Sequence, residues 1–317
     1  MLRGKRTAAT SDHSPIAGRS GLACTSTITT TLSSASTSCP NYRVAVSLPD
    51  SSLSPLELLR SLDWQADEIT LGDIAFRLEV LGASVSPSDN GEKVTLYKSR
   101  AFIRNYERLL TSRPDFRPTL ILELGIWGGG SVVLWNEVFR PDRMVGLDIM
   151  PDPGIVPLRS YVDSVTSASV LLHWQGSQDD SDLLNQIIQS DFEGRPPDLV
   201  IDDASHMYWP TRRSFEILFP LMQEGSVYVI EDWRSGVDAP THGTPLHQIA
   251  SDLLAMATSR GSLISTISIL PGILVIERGR RPAPSGFRLT VTEQPSSSTT
   301  IGEMKGLVRR LGSRARR

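Results

Sequence analysis

Cysteine is nearly absent: the chain of 317 residues has two, Cys24 and Cys39, both close to its start. A disulfide framework and a cysteine-ligated zinc site are therefore excluded for any core built from the rest. Long apolar runs are missing too, since none approaches the roughly 18 residues of a membrane-spanning helix. A soluble, cytoplasmic protein without a membrane span is the expectation. Net charge is small, -3 at pH 7, so nothing in the total argues for a nucleic-acid partner. Hydrophobic content, 39%, is slightly low for a globular chain, which suggests that part of it lies outside a packed core.

Composition locates that part at the two ends. Residues 1–41 are rich in Ser, Thr and Ala, with Asp12 as their one acid beside Arg3, Lys5, Arg6 and Arg19. Such a segment cannot bury a core, so a disordered tail is expected. The same composition suits an organelle-targeting peptide, but no arginine-bearing amphipathic helix stands out, and the tail reading is preferred. Residues 282–317 fade into Pro, Ser and Thr and end in a basic run of Lys305, Arg309, Arg310, Arg314, Arg316 and Arg317. A flexible, solvated terminus is expected there, in preference to a lipid-binding helix.

Residues 42–98 read as a small α+β extension. Ser54-Pro55-Leu56-Glu57 has the form of a capping box with proline at the first helical position. Thr70-Leu71-Gly72-Asp73 is expected to start a second helix carrying Ile74, Leu78 and Leu81, stopped by Gly82. Asp89-Asn90-Gly91 is a turn signal, followed by a strand from Val94 to Tyr97. The segment carries no chemical signature, and a packing or oligomerisation role is expected for it.

Residues 99–281 have a different rhythm. A helical stripe of Phe102, Ile103, Tyr106, Leu109 and Leu110 ends at Pro114. Apolar runs then alternate with amphipathic stretches, with runs at 120–124, 144–148, 170–173, 199–203 and 227–231. This alternation predicts a doubly wound, mostly parallel, seven-stranded Rossmann-like sheet. The last two runs, 264–270 and 273–276, are joined by Pro271-Gly272, too short for a parallel crossover, so a C-terminal antiparallel hairpin is predicted.

Two apolar runs end in paired carboxylates, Asp202/Asp203 and Glu231/Asp232. If the runs are neighbouring parallel strands, the acids meet at the sheet edge where open α/β sheets bind ligands. Carboxylates so crowded need a cation to offset their repulsion, and hard oxygen donors without cysteine suggest Mg²⁺. A metal there could lower the pKa of a substrate hydroxyl, and His206 could accept its proton. For these groups the bland readings are a loop histidine and acids that only contact a cofactor. Tyr208, Trp209 and Trp233 could line a substrate wall or be core, while His242 and His247 read as surface residues.

A second feature supplies the cofactor. Glu123-Leu124-Gly125-Ile126-Trp127-Gly128-Gly129-Gly130 follows the first run and opens a helix, with an acid-x-Gly-x-x-x-Gly spacing unlike the dinucleotide fingerprint. Alone it is equally a tight strand-to-helix turn. Asp148, ending the next run, stands where an acid would bind a ribose diol, and the terminal hairpin favours S-adenosylmethionine over NAD.

With these motifs in view, residues 100–278 resemble the class I S-adenosylmethionine-dependent methyltransferases. Ile-Asp-Asp-Ala-Ser-His at 201–206 and Tyr-Val-Ile-Glu-Asp at 228–232 resemble the macrolide-sugar O-methyltransferase and cephalosporin hydroxylase group. The resemblance implies a Mg²⁺-dependent O-methyltransferase acting on a hydroxyl of a small secondary metabolite, a sugar hydroxyl of a glycosylated product in the first instance. It further implies that Glu123, Gly125, Gly129 and Asp148 serve the cofactor, that Asp203, Glu231 and Asp232 hold the metal, and that His206 is the base. Gln178 and Asp180 match the adenine motif, whereas Ser177 replaces its acid; Asp202 faces the cofactor or the sheet. A homo-oligomer is expected. The alternatives are a catechol-type phenolic O-methyltransferase, whose second motif usually reads Asp-Asn, a cofactor-binding partner subunit of a hydroxylase system without turnover, and a purely structural member.

Overall fold

The structure is a computed structural model that describes residues 52–79, 92–165, 169–235 and 244–289. The targeting-like segment, the Asp89-Asn90-Gly91 turn, His242 and the basic tail lie outside the described residues.

The capping box forms as expected. Helix α1 (Pro55–Arg60) starts with the Ser54 hydroxyl accepting from the Glu57 amide at 3.3 Å, while the Glu57 carboxylate accepts from the Ser54 amide at 2.7 Å. Strands β1 (Asp63–Trp64), β2 (Glu68–Leu71), β3 (Ile74–Leu78) and β4 (Val94–Leu96) follow in a four-stranded sheet of the same order. The helix expected from Thr70 is thus corrected to a β-hairpin. Leu71 pairs with Ile74 across a two-residue loop, and Gly72, at φ +58°, takes the left-handed conformation that such a turn needs. Ile69, Leu71 and Phe76 are fully buried, so the period of two outweighs the helical spacing of Ile74 and Leu78. Strand β4 pairs parallel with β3. Helix α2 (Arg100–Ser112) is capped by Ser99 and buries the stripe of Ile103, Tyr106, Leu109 and Leu110.

The second sheet has seven strands: β5 (Leu120–Leu124), β6 (Arg143–Leu147), β7 (Val170–His173), β8 (Leu199–Asp202), β9 (Val227–Glu231), β10 (Ile264–Ile269) and β11 (Ile273–Arg278). Their order is β10-β11-β9-β8-β5-β6-β7, and β7, β6, β5, β8 and β9 are parallel. β11 runs antiparallel to both β9 and β10, which is the predicted terminal hairpin. Every residue of β5, β8 and β9 is buried, because helices cover both faces.

On one face α2, α3 (Gly130–Phe139) and α4 (Val156–Ser164) pack through Tyr106, Trp135 and Leu158 against Ile121, Ile201 and Val229. On the other α5 (Ser181–Ser190), α6 (Tyr208–Leu218) and α7 (Gln248–Ala257) pack through Ile187, Phe215 and Leu253 against Leu122, Val200 and Tyr228. From β5 the chain winds outward to β6 and β7, then returns to β8 and β9 on the opposite side. That reversal makes the gap between β5 and β8 the topological switch point, where an open α/β sheet offers a crevice at its carboxyl ends.

Candidate functional site

Three loops leave the carboxyl ends of β5, β8 and β9 at the switch point, and each holds a non-glycine residue in left-handed backbone: Trp127 (φ +49°), His206 (φ +52°) and Asp232 (φ +46°). Such conformations cost energy and concentrate at sites where the surroundings enforce them.

The glycine loop after β5 is tightly enclosed. A Cβ on Gly125, at φ +84°, would come within 2.3 Å of the Asp203 carbonyl oxygen. Only glycine lets the loops after β5 and β8 touch. Gly129, at φ +77°, precedes α3. Asp148, at the end of β6, closes the loop: Oδ2 accepts from the amides of Ile126 (2.9 Å) and Trp127 (2.7 Å), and Oδ1 accepts from the Met150 amide at 2.8 Å. Burial lifts its pKa, against the pull of these amides. Glu123 lies beneath the loop with no solvent exposure; its oxygens make no hydrogen bond of regular geometry, and the Ser131 hydroxyl and Trp135 indole are its polar neighbours. Burial pushes its pKa up to about 8 despite the charge of Lys98.

Gln178, Asp180 and Asp202 form a second group. Gln178 donates to Asp202 Oδ1 at 2.9 Å and accepts from the Ser205 amide at 2.9 Å, tying the loop after β7 to that after β8. Asp180 caps α5, accepting from the amides of Asp182 and Leu183. Asp202 Oδ2 accepts from the hydroxyls of Ser214 (2.6 Å) and Tyr228 (2.8 Å). Burial raises its pKa to about 6 against those hydrogen bonds.

The acids expected to hold a metal divide into rim and base. Ligand atoms of Asp203, His206 and Asp232 lie within 4.8 Å of one another. Asp203 Oδ1 is 3.0 Å from His206 Nε2, which is 4.0 Å from Asp232 Oδ2, and all three side chains are partly exposed. Glu231 is 1% exposed and turned into the base, where Tyr106 donates to Oε1 and Lys98 to Oε2. Lys98, 4% exposed, also lies 3.0 Å from Asp203 Oδ2.

These contacts set the charges. Burial disfavours the Lys98 ammonium, but Asp203, Glu231 and Glu123 outweigh it and hold it protonated. Partial desolvation would raise Asp203, yet Lys98 and His206 keep its carboxyl below the usual range. Glu231 is pushed up by burial and by the Asp203 charge. Burial also raises Asp232, and His206 is raised because Asp203 and Asp232 outweigh its desolvation.

Lys98 and Tyr106 escaped the sequence reading. Lys98 is 105 residues from Asp203 and 133 from Glu231, and only the turn from β4 into α2 brings it there. The available signal was the crowding of acids, which demands a counter-charge, together with a lysine directly after the strand-like run from Val94 to Tyr97. The aromatic alternative resolves partly: Tyr208 is core, hydrogen-bonded to Asp252 and Arg212, and Trp233 donates to the Leu270 carbonyl at 3.0 Å.

The donor set at the rim suits a divalent cation, two carboxylates with an imidazole beside them. The switch-point crevice, bounded by the glycine loop and Asp148, suits a nucleoside-bearing cofactor.

No family model matches the chain. It is 37% identical over 119 residues to the mycinamicin VI 2''-O-methyltransferase of Micromonospora griseorubida, covering 35% of this chain and 26% of that protein. An 8-demethyl-8-(2-methoxy-alpha-L-rhamnosyl)-tetracenomycin-C 3'-O-methyltransferase of Streptomyces olivaceus is 36% identical over 128 residues, 38% of this chain and 29% of that one. The L-olivosyl-oleandolide 3-O-methyltransferase of Streptomyces antibioticus is 31% identical over 165 residues, 47% and 39% of the two chains. The matches thus span well under half the length of these relatives. Among solved structures, the MycE methyltransferase from the mycinamycin biosynthetic pathway, in complex with Mg, SAH and mycinamycin VI, is 26% identical with a TM-score of 0.44, over 62% of this chain and 52% of that one. TomG from Streptomyces achromogenes, in complex with SAM, gives 18% identity and a TM-score of 0.39, over 54% and 77%. The fold assignment rests on the strand order rather than on these overlays. By its sheet and by the sequence of the matched region, the chain resembles the class I S-adenosylmethionine-dependent methyltransferases, and among them the sugar O-methyltransferases of glycosylated natural products.

Proposed function

We propose that this chain is a Mg²⁺-dependent O-methyltransferase that moves a methyl group from S-adenosylmethionine to a hydroxyl of a small metabolite, with a sugar of a glycosylated natural product as the acceptor class. The observation that carries it is the meeting, at the switch point, of a glycine loop with the Asp203, His206 and Asp232 cluster. The acceptor class is supported by the sugar methyltransferases that the matched region resembles.

Gly125 and Gly129 would border the methionine end of the cofactor, and Asp148 its ribose end, while the Asp148 carboxylate holds the glycine loop through the amides of Ile126 and Trp127. Gln178 and Asp180 would support the adenine side, and Asp202 would hold Gln178 in place from the opposite face. Magnesium on Asp203 and Asp232 would supply a Lewis acid beside the acceptor hydroxyl, and S-adenosylmethionine the electrophilic methyl group. Glu231 joins the same acid cluster through Lys98.

His206 would take the hydroxyl proton as oxygen attacks the methyl carbon. Asp203, 3.0 Å away, orients the imidazole and stabilises the charge that it gains. The partly exposed rim gives a bulky acceptor access, and positioning by the loops supplies much of the acceleration.

Calorimetry with S-adenosylmethionine and with its demethylated product tests the cofactor: binding of both is expected, and no heat from either ends the proposal. Methylation of glycosylated acceptors with and without EDTA tests the metal, since turnover unaffected by EDTA removes its role.

A further inference from the structure

Arg212 and Arg278 are the buried arginines among the described residues, and they are compensated differently. Arg212 has a carboxylate, with Nε 2.9 Å from Glu216 Oε1. Arg278, the last residue of β11 and 4% exposed, has none among the described residues. Its Nη1 donates to the carbonyls of Leu263 and Gly279, its guanidinium lies 5.9 Å from the centre of the Phe219 ring, and its buried Nε has no hydrogen-bond partner. Burial pulls its pKa below the ordinary arginine value, with no acid to offset that pull. Carbonyls and a ring face soften an unpaired buried charge without cancelling it.

Beside this guanidinium is a cavity of about 330 Å³, lined also by Glu224, Ser262, Ser265, Arg280 and Arg281. It lies at the amino end of β9, where the Gly225 amide donates to the Arg278 carbonyl, and so at the opposite end of the sheet from the switch point. The acids around it are already answered. Glu277 faces Arg113 at 3.3 Å, and Glu224 faces Arg280 at 3.6 Å. That leaves Arg278 and Arg281 as two positive charges on one cavity. A register shift between Ile264 and Thr266 leaves Ser265 outside the β10–β11 pairing, and bulges of this kind re-aim side chains beside sites.

We propose that the base of the β10–β11 hairpin is an oxyanion site, in which Arg278 and Arg281 hold the phosphate group of a free phosphate or of a small phosphate monoester. The planar guanidinium fork matches phosphate oxygens two at a time, and the serine hydroxyls add neutral donors. The cavity has the volume of roughly ten water molecules, which leaves room for a small ester group behind the phosphate. A bound anion would tie the end of β11 to the turn before β10 and supply the charge that Arg278 lacks. The site is separate from the proposed methyl-transfer centre and does not depend on it.

Calorimetry and thermal denaturation of the full chain with inorganic phosphate, at constant ionic strength set by chloride, test this. Saturable binding and a rising melting temperature are expected for the wild type. Arg278→Met is expected to weaken phosphate binding by about tenfold or more, and Arg281→Ala by about threefold or more. Arg278→Lys, which keeps the charge and loses the fork, should fall between Arg278→Met and the wild type. Arg104→Ala, at an exposed position on α2, should bind as the wild type does. Glycerol 3-phosphate binding tighter than phosphate assigns the spare volume to an ester group, and the reverse order assigns the site to the free ion.

A response to phosphate no larger than that to chloride overturns the assignment. So does binding that survives intact in Arg278→Met, since the anion then sits elsewhere, for example on the basic C-terminal residues. An arginine that only ties the hairpin would lower the melting temperature when replaced, with no phosphate response in the wild type to lose. Should Arg278→Met fail to fold, the exposed Arg281 carries the test: Arg281→Ala binding phosphate as tightly as the wild type overturns the assignment.

Discussion

Asp202 and Asp203 are consecutive residues whose carboxylates serve opposite faces of the sheet. Asp202 accepts from Gln178, Ser214 and Tyr228 on the side of α6, whereas Asp203 meets Lys98 and His206 on the side of α2. One is built into the scaffold and the other into the site. Asp202→Ala leaves three buried polar groups without their acceptor and should cost about 1–3 kcal/mol in chemical denaturation. Its Mn²⁺ affinity should stay within about threefold of the wild type, whereas Asp203→Asn should lower that affinity by about tenfold or more. Equal losses of affinity would show that the two acids are not divided in this way.

His206 leads to a kinetic prediction. As the base, it should leave cofactor affinity nearly unchanged when replaced by alanine, while kcat falls by about 10²–10⁴. Only the neutral imidazole can accept a proton, so kcat/KM should rise with pH through the His206 pKa. Burial lowers that pKa, but the hydrogen bond and charge of Asp203 and the charge of Asp232 outweigh it. In metal-free protein, an NMR titration of the imidazole should accordingly show a midpoint above the ordinary histidine value. A midpoint below it would mean that the acids do not face the ring.

Much of this fold was legible because β5, β8 and β9 are buried on both faces and therefore read as unbroken apolar runs. Pro271-Gly272 sufficed to predict the hairpin of β10 and β11. In the segment from Thr70, Ile74 and Leu78 fit the spacing of a helix as well as that of a strand, and the Gly72-Asp73 turn decides for the strand. In the site, acids at strand ends declared themselves by position. What their oxygens bind did not: Asp148, read as a ribose ligand, holds three loop amides in the structure, and Lys98 reaches Glu231 by tertiary packing alone.

Packing of the N-terminal sheet on the larger one can be tested at Gly130. A Cβ there would lie 2.0 Å from the Thr95 carbonyl oxygen, a clash with backbone that no rotamer relieves. Gly130→Ala must push β4 away from α3, at a cost of about 1–3 kcal/mol or more. Because Lys98 follows β4 closely, the displacement should also perturb Mn²⁺ binding. A melting temperature within error of the wild type would mean that β4 does not rest on α3.

Glu123 offers a test of buried charge away from the acceptor side. It is wholly buried beneath the glycine loop, and burial raises its pKa from 4.5 to about 8 against the pull of Lys98, Ser131 and Trp135. The folded protein therefore holds this proton more tightly than the unfolded chain does. The associated stability is fully present below pH 4.5 and is lost as pH rises through about 8. Across that window the loss approaches about 1.4 kcal/mol per pH unit, a few kcal/mol in all. Glu123→Gln cannot ionise, so it should be more stable than the wild type at alkaline pH and should show a flatter dependence of unfolding free energy on pH. Asp202, raised to about 6 by its own burial, leaves part of the slope in both proteins, so the difference between them isolates Glu123. Urea denaturation at a series of pH values reads it directly. Parallel curves for the two proteins would place the Glu123 carboxylate in contact with water or with a cation.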